Sequence, residues 1–256
     1  MNIALSPSDM QALVRLAEGD VDRLLCMRFL PASAQRGGLV LLAFHNELIR
    51  ALAPARSAAV AGPMAGLIRL QWWREVLEQT RPPEHVLAPF LLDMVACGQV
   101  RQDTLLRLVH SCESELSGPR DPAAWQSMMR DGAGALQRAV GELLGVEDAA
   151  ILLRLEACGM AYGAGAMLRH WPALQQSGRF VCPQEGEALR QHGQAWLAAL
   201  DWSGLPPAQR LAALPAVLAR RDLLRGSTQA AQPRGLGDRA RVMCHGLMAL
   251  RAFERG

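Results

Sequence analysis

LIRLQWWREVLEQ, residues 67–79, carries the pattern that decides the fold class. Together with Met64, the residues Ile68, Trp72 and Val76 recur every four positions, and Trp73 with Leu77 widens the row. Arg69, Arg74, Glu75 and Glu78 fall between them as polar positions. Spacing near 3.6 gathers apolar side chains on one stripe of an α-helix, whereas a half-buried strand alternates with period two. Pro63 suits the start of that helix, where its missing N–H costs nothing.

The same period extends in both directions. Ser8 or Asp9 is expected to cap a first helix through Met10, Leu13, Val14 and Leu16. A second begins near Asp20 and stops at Pro31, and a third covers about Ala34 to Leu52. Downstream, helices are predicted over 84–97, 102–116, 122–144, 147–170, 184–199, 207–225 and 237–253. RFVC, residues 179–182, is the one credible extended piece. Neither a fixed-period repeat nor a sharp break in composition divides the chain. The expectation is one all-α domain over residues 1–256.

Half of the residues are apolar and a fifth charged, the balance of a globular protein able to bury a substantial core. A net charge of +3 gives no electrostatic footprint for nucleic acid. Charge is concentrated at the end of the chain. From Arg210 onward nine arginines face Asp222, Asp238 and Glu254, an excess of six. That excess suits either a solvated helix surface or an acidic partner, including an anionic membrane. Lysine is absent, which excludes Schiff-base and lysine general-base chemistry.

The six cysteines form no C-x-x-C pair, and no His/Cys cluster has zinc spacing. The N-terminus lacks the pattern of a secretory signal, and no uninterrupted apolar run reaches about 18 residues. These features predict a cytoplasmic protein with reduced thiols, with peripheral contact at the inner membrane surface as the one membrane role.

Chemistry-bearing motifs are sparse. G-x-S-x-G, P-loop and dinucleotide fingerprints are missing, as is any D-x-x-x-D. Glu18 with Asp22 and Glu75 with Glu78 have the spacing of helical acid pairs and read as surface charge. ACGMAYGAGA, residues 157–166, offers a small-residue face for close helix packing. LRHWPALQQSGRFVCP, residues 168–183, holds Arg169, His170 and Arg179 but no carboxylate.

DRLLCMRFLP, LVLLAFHNELIRA, GLIRLQWWREVLE and LRHWPALQQSGRFVCP, in that order, resemble successive blocks of the squalene/phytoene synthase superfamily. The resemblance implies an all-α prenyl-synthase bundle around a deep central cavity. It also implies head-to-head joining of two prenyl diphosphates, with Mg²⁺ held by two facing acidic segments. Mg²⁺ demands hard oxygen ligands, and carboxylates bridge it to the leaving diphosphate. Here the first segment, expected after Ala43-Phe44-His45, reads Ile49, Arg50 and Ala53 at its acidic positions. The second, expected after Arg169, reads His170, Ala173 and Leu174. Glu47 is the acid that remains beside either block.

This pattern is similar to a non-catalytic branch of the superfamily whose members assist assembly of respiratory complex I. Glu47-Leu48-Ile49-Arg50 and Arg69 to Glu75 carry that likeness. It implies a binding or assembly factor with no catalytic residues, no bound metal and no cofactor, whose partner is a respiratory-complex protein or an isoprenoid or lipid-like ligand. The candidate contact residues are Glu47, Arg50, Arg69, Trp73, Arg169 and Arg179. Ion pairing explains the arginines equally well, and core filling explains Trp73. The competing reading is a divergent Mg²⁺-dependent prenyl-diphosphate synthase using acids such as Glu47, Glu113 or Glu115.

Overall fold

Capping chemistry fixes where the chain turns helical. The computed structural model describes residues 6–52, 62–119, 121–176, 186–225 and 234–255. Ser6, rather than Ser8 or Asp9, caps α1 (Pro7–Ala17). Its hydroxyl accepts from the Asp9 amide at 3.1 Å while the Asp9 carboxylate accepts from the Ser6 amide at 3.2 Å. This reciprocal box satisfies two otherwise orphaned donors, and Pro7 at the first position has none to lose. A 3₁₀ turn (Glu18–Asp20) leads to α2 (Val21–Met27), capped by Asp20, which accepts from the Arg23 amide at 2.9 Å.

The chain continues through α3 (Ala32–Ala51), α4 (Gly62–Leu77), α5 (Ala88–Ala96), α6 (Gln102–Ser117) and α7 (Pro122–Met129). After a π turn (Arg130–Gly134) come α8 (Ala135–Leu143), α9 (Ala149–Arg169) and the short α10 (Trp171–Gln176). The rest comprises α11 (Gly186–Ala198), a 3₁₀ turn (Trp202–Gly204), α12 (Pro207–Ala212), α13 (Pro215–Arg225) and α14 (Leu236–Phe253). No strand occurs among the described residues, and the extended piece expected at 179–182 lies outside them.

Three expectations are corrected. The helix expected over 122–144 is interrupted by the π turn, and the one over 207–225 breaks before Pro215, which has no amide to donate and disfavours a helical residue before it. The face of α4 is also different. Leu70, Trp73, Val76 and Leu77 are buried, whereas Met64 and Ile68 are exposed, Ile68 to 65%. Apolar residues surround this helix, so periodicity alone did not choose the inward stripe; the partners α3 and α6 did.

A contiguous apolar core runs from Leu13 in α1 to Ala249 in α14. At its centre lies α9, packed on α13, α11, α8 and the π turn. By length and hydropathy α9 could cross a membrane, yet 61% of that stretch is buried inside the bundle. The small-residue face does what its composition predicts. A Cβ on Gly159 would sit 2.0 Å from the Ala133 carbonyl oxygen, and one on Gly163 would sit 2.7 Å from Met129 Cε. Backbone therefore touches backbone where α9 crosses the π turn.

Buried charge is neutralised locally. Glu156 of α9 accepts from Arg107 at 2.6 Å and from Arg138 at 3.0 Å. Glu142 accepts from Arg138 at 2.9 Å, from the Thr104 hydroxyl at 2.9 Å and from the Arg101 amide at 3.0 Å. This network joins α6, α8 and α9 without leaving its carboxylates bare.

Gly159→Ala must move a backbone carbonyl, so it should cost about 3 kcal/mol in urea unfolding followed by tryptophan fluorescence. Gly237→Ala on α14 meets the flexible Arg241 side chain at 3.5 Å and should stabilise by up to about 1 kcal/mol in the same assay.

Candidate functional site

Helices α2, α3, α6 and α9 and the π turn surround a central cavity of about 510 Å³. Leu108, Cys112, Met128, Met129, Ala166 and Met167 form apolar wall. Its polar end is assembled by the 3₁₀ turn and α2, which present Asp20, Asp22 and Arg23, and by the end of α9, which presents Tyr162, Arg169 and His170. Asp20 and Asp22 flank the start of α2, where a helix dipole favours negative charge.

Each of these two acids is already engaged. Asp22 Oδ2 accepts from Arg169 Nη1 at 3.1 Å and from Arg234 Nε at 2.7 Å. Arg234, which immediately precedes α14, also makes a two-pronged pair with Asp222 of α13, at 2.6 and 2.7 Å. Asp20 takes the Tyr162 hydroxyl at 3.1 Å and Arg23 Nη1 at 3.4 Å. The Arg23 guanidinium is buried and stacks 4.4 Å from the centre of the Tyr162 ring. Its Nε and Nη2 are buried without a hydrogen-bond partner among the described residues.

Electrostatics follows burial. Burial, reinforced by the charge of Asp20, holds the Tyr162 phenol well above its ordinary range, so it remains a donor. Burial and the nearby Arg23 push His45 down to about 3. His170 is also lowered, by burial and then by Arg169. Both imidazoles at this cavity are therefore neutral at physiological pH. Burial likewise raises the thiol of Cys158 to about 12 and that of Cys26 further still, so neither is a nucleophile.

The residues singled out from sequence do not form one site. Glu47 and Arg50 of α3 and Arg69 and Trp73 of α4 do not line the central cavity. Arg69 Nη2 is 2.6 Å from Glu47 Oε1 and Arg50 Nη1 is 3.8 Å from Oε2. Trp73 is buried in the core, edge-on to Phe44 at 5.0 Å, and also borders a shallow pocket with Glu47 and Arg69. Of the five that lie among the described residues, Arg169 alone lines the central cavity. Arg179 lies outside the described residues.

Asp20, Asp22, Arg23, Tyr162, Asp222 and Arg234 were missed by sequence reasoning. Asp22 in particular is no surface charge. Its partner Arg234 is 212 residues away, and no local spacing announces such a pair. The available signals were weak: two acids at one helix start, and an arginine held between Pro233 and Gly235.

The Mg²⁺ array that the resemblance implies does not fit these residues. α3 presents His45, Asn46 and Ile49 to the cavity, and the Asn46 amide is spent on the carbonyls of Leu16 and Ala17 at 2.9 and 3.1 Å. The end of α9 presents a guanidinium and a neutral imidazole. A divalent ion at Asp22 would have to displace two arginines. Among the described residues no three His, Cys, Asp or Glu side chains converge as a metal-ligand group.

Asp222 offers a direct test of the buried bridge. Burial raises its pKa, and Arg234 pulls it back only in part. A carboxyl whose folded pKa is raised costs stability while ionised, and that cost fades as pH falls through the folded value. Arg234→Met should destabilise by about 3–5 kcal/mol near neutral pH, because Asp222 loses its counter-charge. The deficit should shrink as pH is lowered through that raised folded value in denaturant titrations against the unaltered chain.

A family model for squalene/phytoene synthase matches residues 16–251. No curated protein sequence matches the chain. Among solved structures, a dehydrosqualene synthase in complex with ligand superposes with a TM-score of 0.72 at 12% identity, covering 96% of this chain and 97% of the other. The squalene synthase HpnC from Alicyclobacillus acidocaldarius gives 0.63 at 14% identity, covering 94% and 95%. At such identities the likeness of the structures establishes the all-α isoprenoid-synthase fold, while the family match spans nearly the whole sequence. The chain belongs to the squalene/phytoene synthase family.

Proposed function

We propose that this family member is a catalytically degenerate binding or assembly factor, with an isoprenoid or lipid-like molecule as the ligand of its central cavity. The observation that carries the reading is the engagement of Asp22 by Arg169 and Arg234 and of Asp20 by Arg23 and Tyr162. Ionising a prenyl diphosphate needs hard oxygens free to hold cations beside the leaving group. Here guanidinium groups take those oxygens. The sulfur-rich apolar wall suits a flexible hydrocarbon chain, since Met side chains repack around irregular shapes.

Respiratory complex I is the partner suggested by the likeness of Glu47–Arg50 and Arg69–Glu75 to the assembly-factor branch. Arg50 and Arg69 support a surface role, because their side chains remain about half exposed while anchored on the buried Glu47. Affinity capture from the native cell should return subunits of that complex; isoprenoid enzymes in their place would overturn the assembly role.

The second reading, a divergent Mg²⁺-dependent head-to-head synthase, draws on the likeness to solved synthases. Of its candidate acids, Glu47 and Glu113 are paired with Arg69 and Arg74 at 2.6 Å, and Glu115 lines the cavity. Purified protein incubated with Mg²⁺ and farnesyl or geranylgeranyl diphosphate should release diphosphate no faster than buffer. Sustained release that Glu115→Gln abolishes would establish the enzyme instead.

A further inference from the structure

Apart from the central cavity, a groove of about 690 Å³ opens between α11, α13 and α14. Its walls are apolar, including Leu197, Leu200, Val217 and Leu223, and Arg220, Arg221 and Arg241 stand among its lining residues. Beside it α14 presents an unusual surface. The buried side of α14 carries Asp238, Val242, Gly246 and Ala249. On the opposite side Leu236, Ala240, Met243 and Leu247 recur at intervals of four, three and four, and all are exposed, Leu236 to 85%. Met248 of α14 and Leu224, which lines the groove from α13, are also exposed, at 60% and 64%.

The strip is flanked by cations. Arg220, Arg239, Arg241, Arg251 and Arg255 are exposed. Of the acids in this part of the chain, Asp222 and Asp238 are buried, which leaves Glu254 as the exposed anion. Asp238 is held by Arg221 at 3.2 Å and by Arg225 at 2.8 Å. A helix of 18 residues is about 27 Å long, so the strip is linear, aliphatic and edged by positive charge. That is the arrangement of a helix lying in a bilayer interface, where aliphatic side chains enter the acyl region and arginines meet anionic headgroups. A protein partner would be matched by pockets and aromatic anchors; the strip itself offers Leu, Met and Ala.

We infer that the outward face of α14, with Leu224 of α13, docks this protein on an anionic membrane surface, and that the adjoining groove accommodates part of a lipid chain. This is independent of whether the central cavity turns anything over.

Co-flotation of the full chain with vesicles tests it. The protein should float with phosphatidylcholine vesicles containing phosphatidylglycerol, float poorly with phosphatidylcholine alone, and lose binding as salt is raised. Met243→Glu with Leu247→Glu alters exposed positions only and should weaken binding at least tenfold with an unchanged circular dichroism spectrum. Met64→Glu with Ile68→Glu, on the exposed side of α4, should leave binding unchanged. Arg239→Gln and Arg251→Gln should each weaken it roughly fivefold, the equivalent of about 1 kcal/mol. Absence of flotation on anionic vesicles would overturn the proposal. So would loss of binding in the α4 variant but not the α14 variant. A dimer in solution that the α14 variant dissociates would instead make this face an interface between two copies.

Discussion

The bridge from Asp22 through Arg234 to Asp222, with Arg169 as its fourth member, is the constraint on which the rest of the molecule depends. It joins α2 near the start of the chain to α9, α13 and the entrance of α14. Arg234 is almost wholly removed from solvent, with a side-chain exposure of 4%. Burying such a charge is costly, and the geometry offsets the cost with a bidentate pair and a third short contact. Because the bridge spans the polar end of the cavity, folding and the character of the cavity are set by the same four side chains. The arginines that close the bundle are the ones that hold Asp22 at the cavity.

This coupling separates two inheritances of the family. The scaffold is retained: the all-α fold persists at 12–14% identity to solved synthases. At the polar end the carboxylates of Asp20 and Asp22 are held by guanidinium groups and a protonated phenol, beside two neutral imidazoles. The second neutral cluster, around Glu142 and Glu156, holds α6, α8 and α9 together away from that end. Charge inside this bundle is used mainly to fasten helices.

Much of the fold was legible because helices are local. Periodicity placed α3, α6 and α9 within a few residues of their ends, and the small-residue face around Gly159 correctly announced a close crossing. What failed was information carried by tertiary contact. The inward stripe of α4 depends on α3 and α6, since apolar residues occur all around it. The π turn depends on where Ala133 meets α9. Asp22 reads locally as one more acid at a helix start, and Arg234 as one more arginine in a loop. Their pairing across the chain turns them from surface charges into the core of the site. Conversely, Glu47 and Arg69 stood out because they sit in a distinctive phrase, yet they hold α3 to α4 on the outside of the cavity.

Tyr162 is the chain's single tyrosine, and it touches both sides of the polar end, donating to Asp20 while its ring supports Arg23. Nature has thus placed one aromatic phenol where ligand and scaffold meet. Tyrosine labelled at its Cζ carbon alone would give one resonance per state in a magnetic resonance spectrum, since no other tyrosine is present. Occupancy of the interior could be followed by that one signal, without attaching a foreign dye or knowing the occupant beforehand.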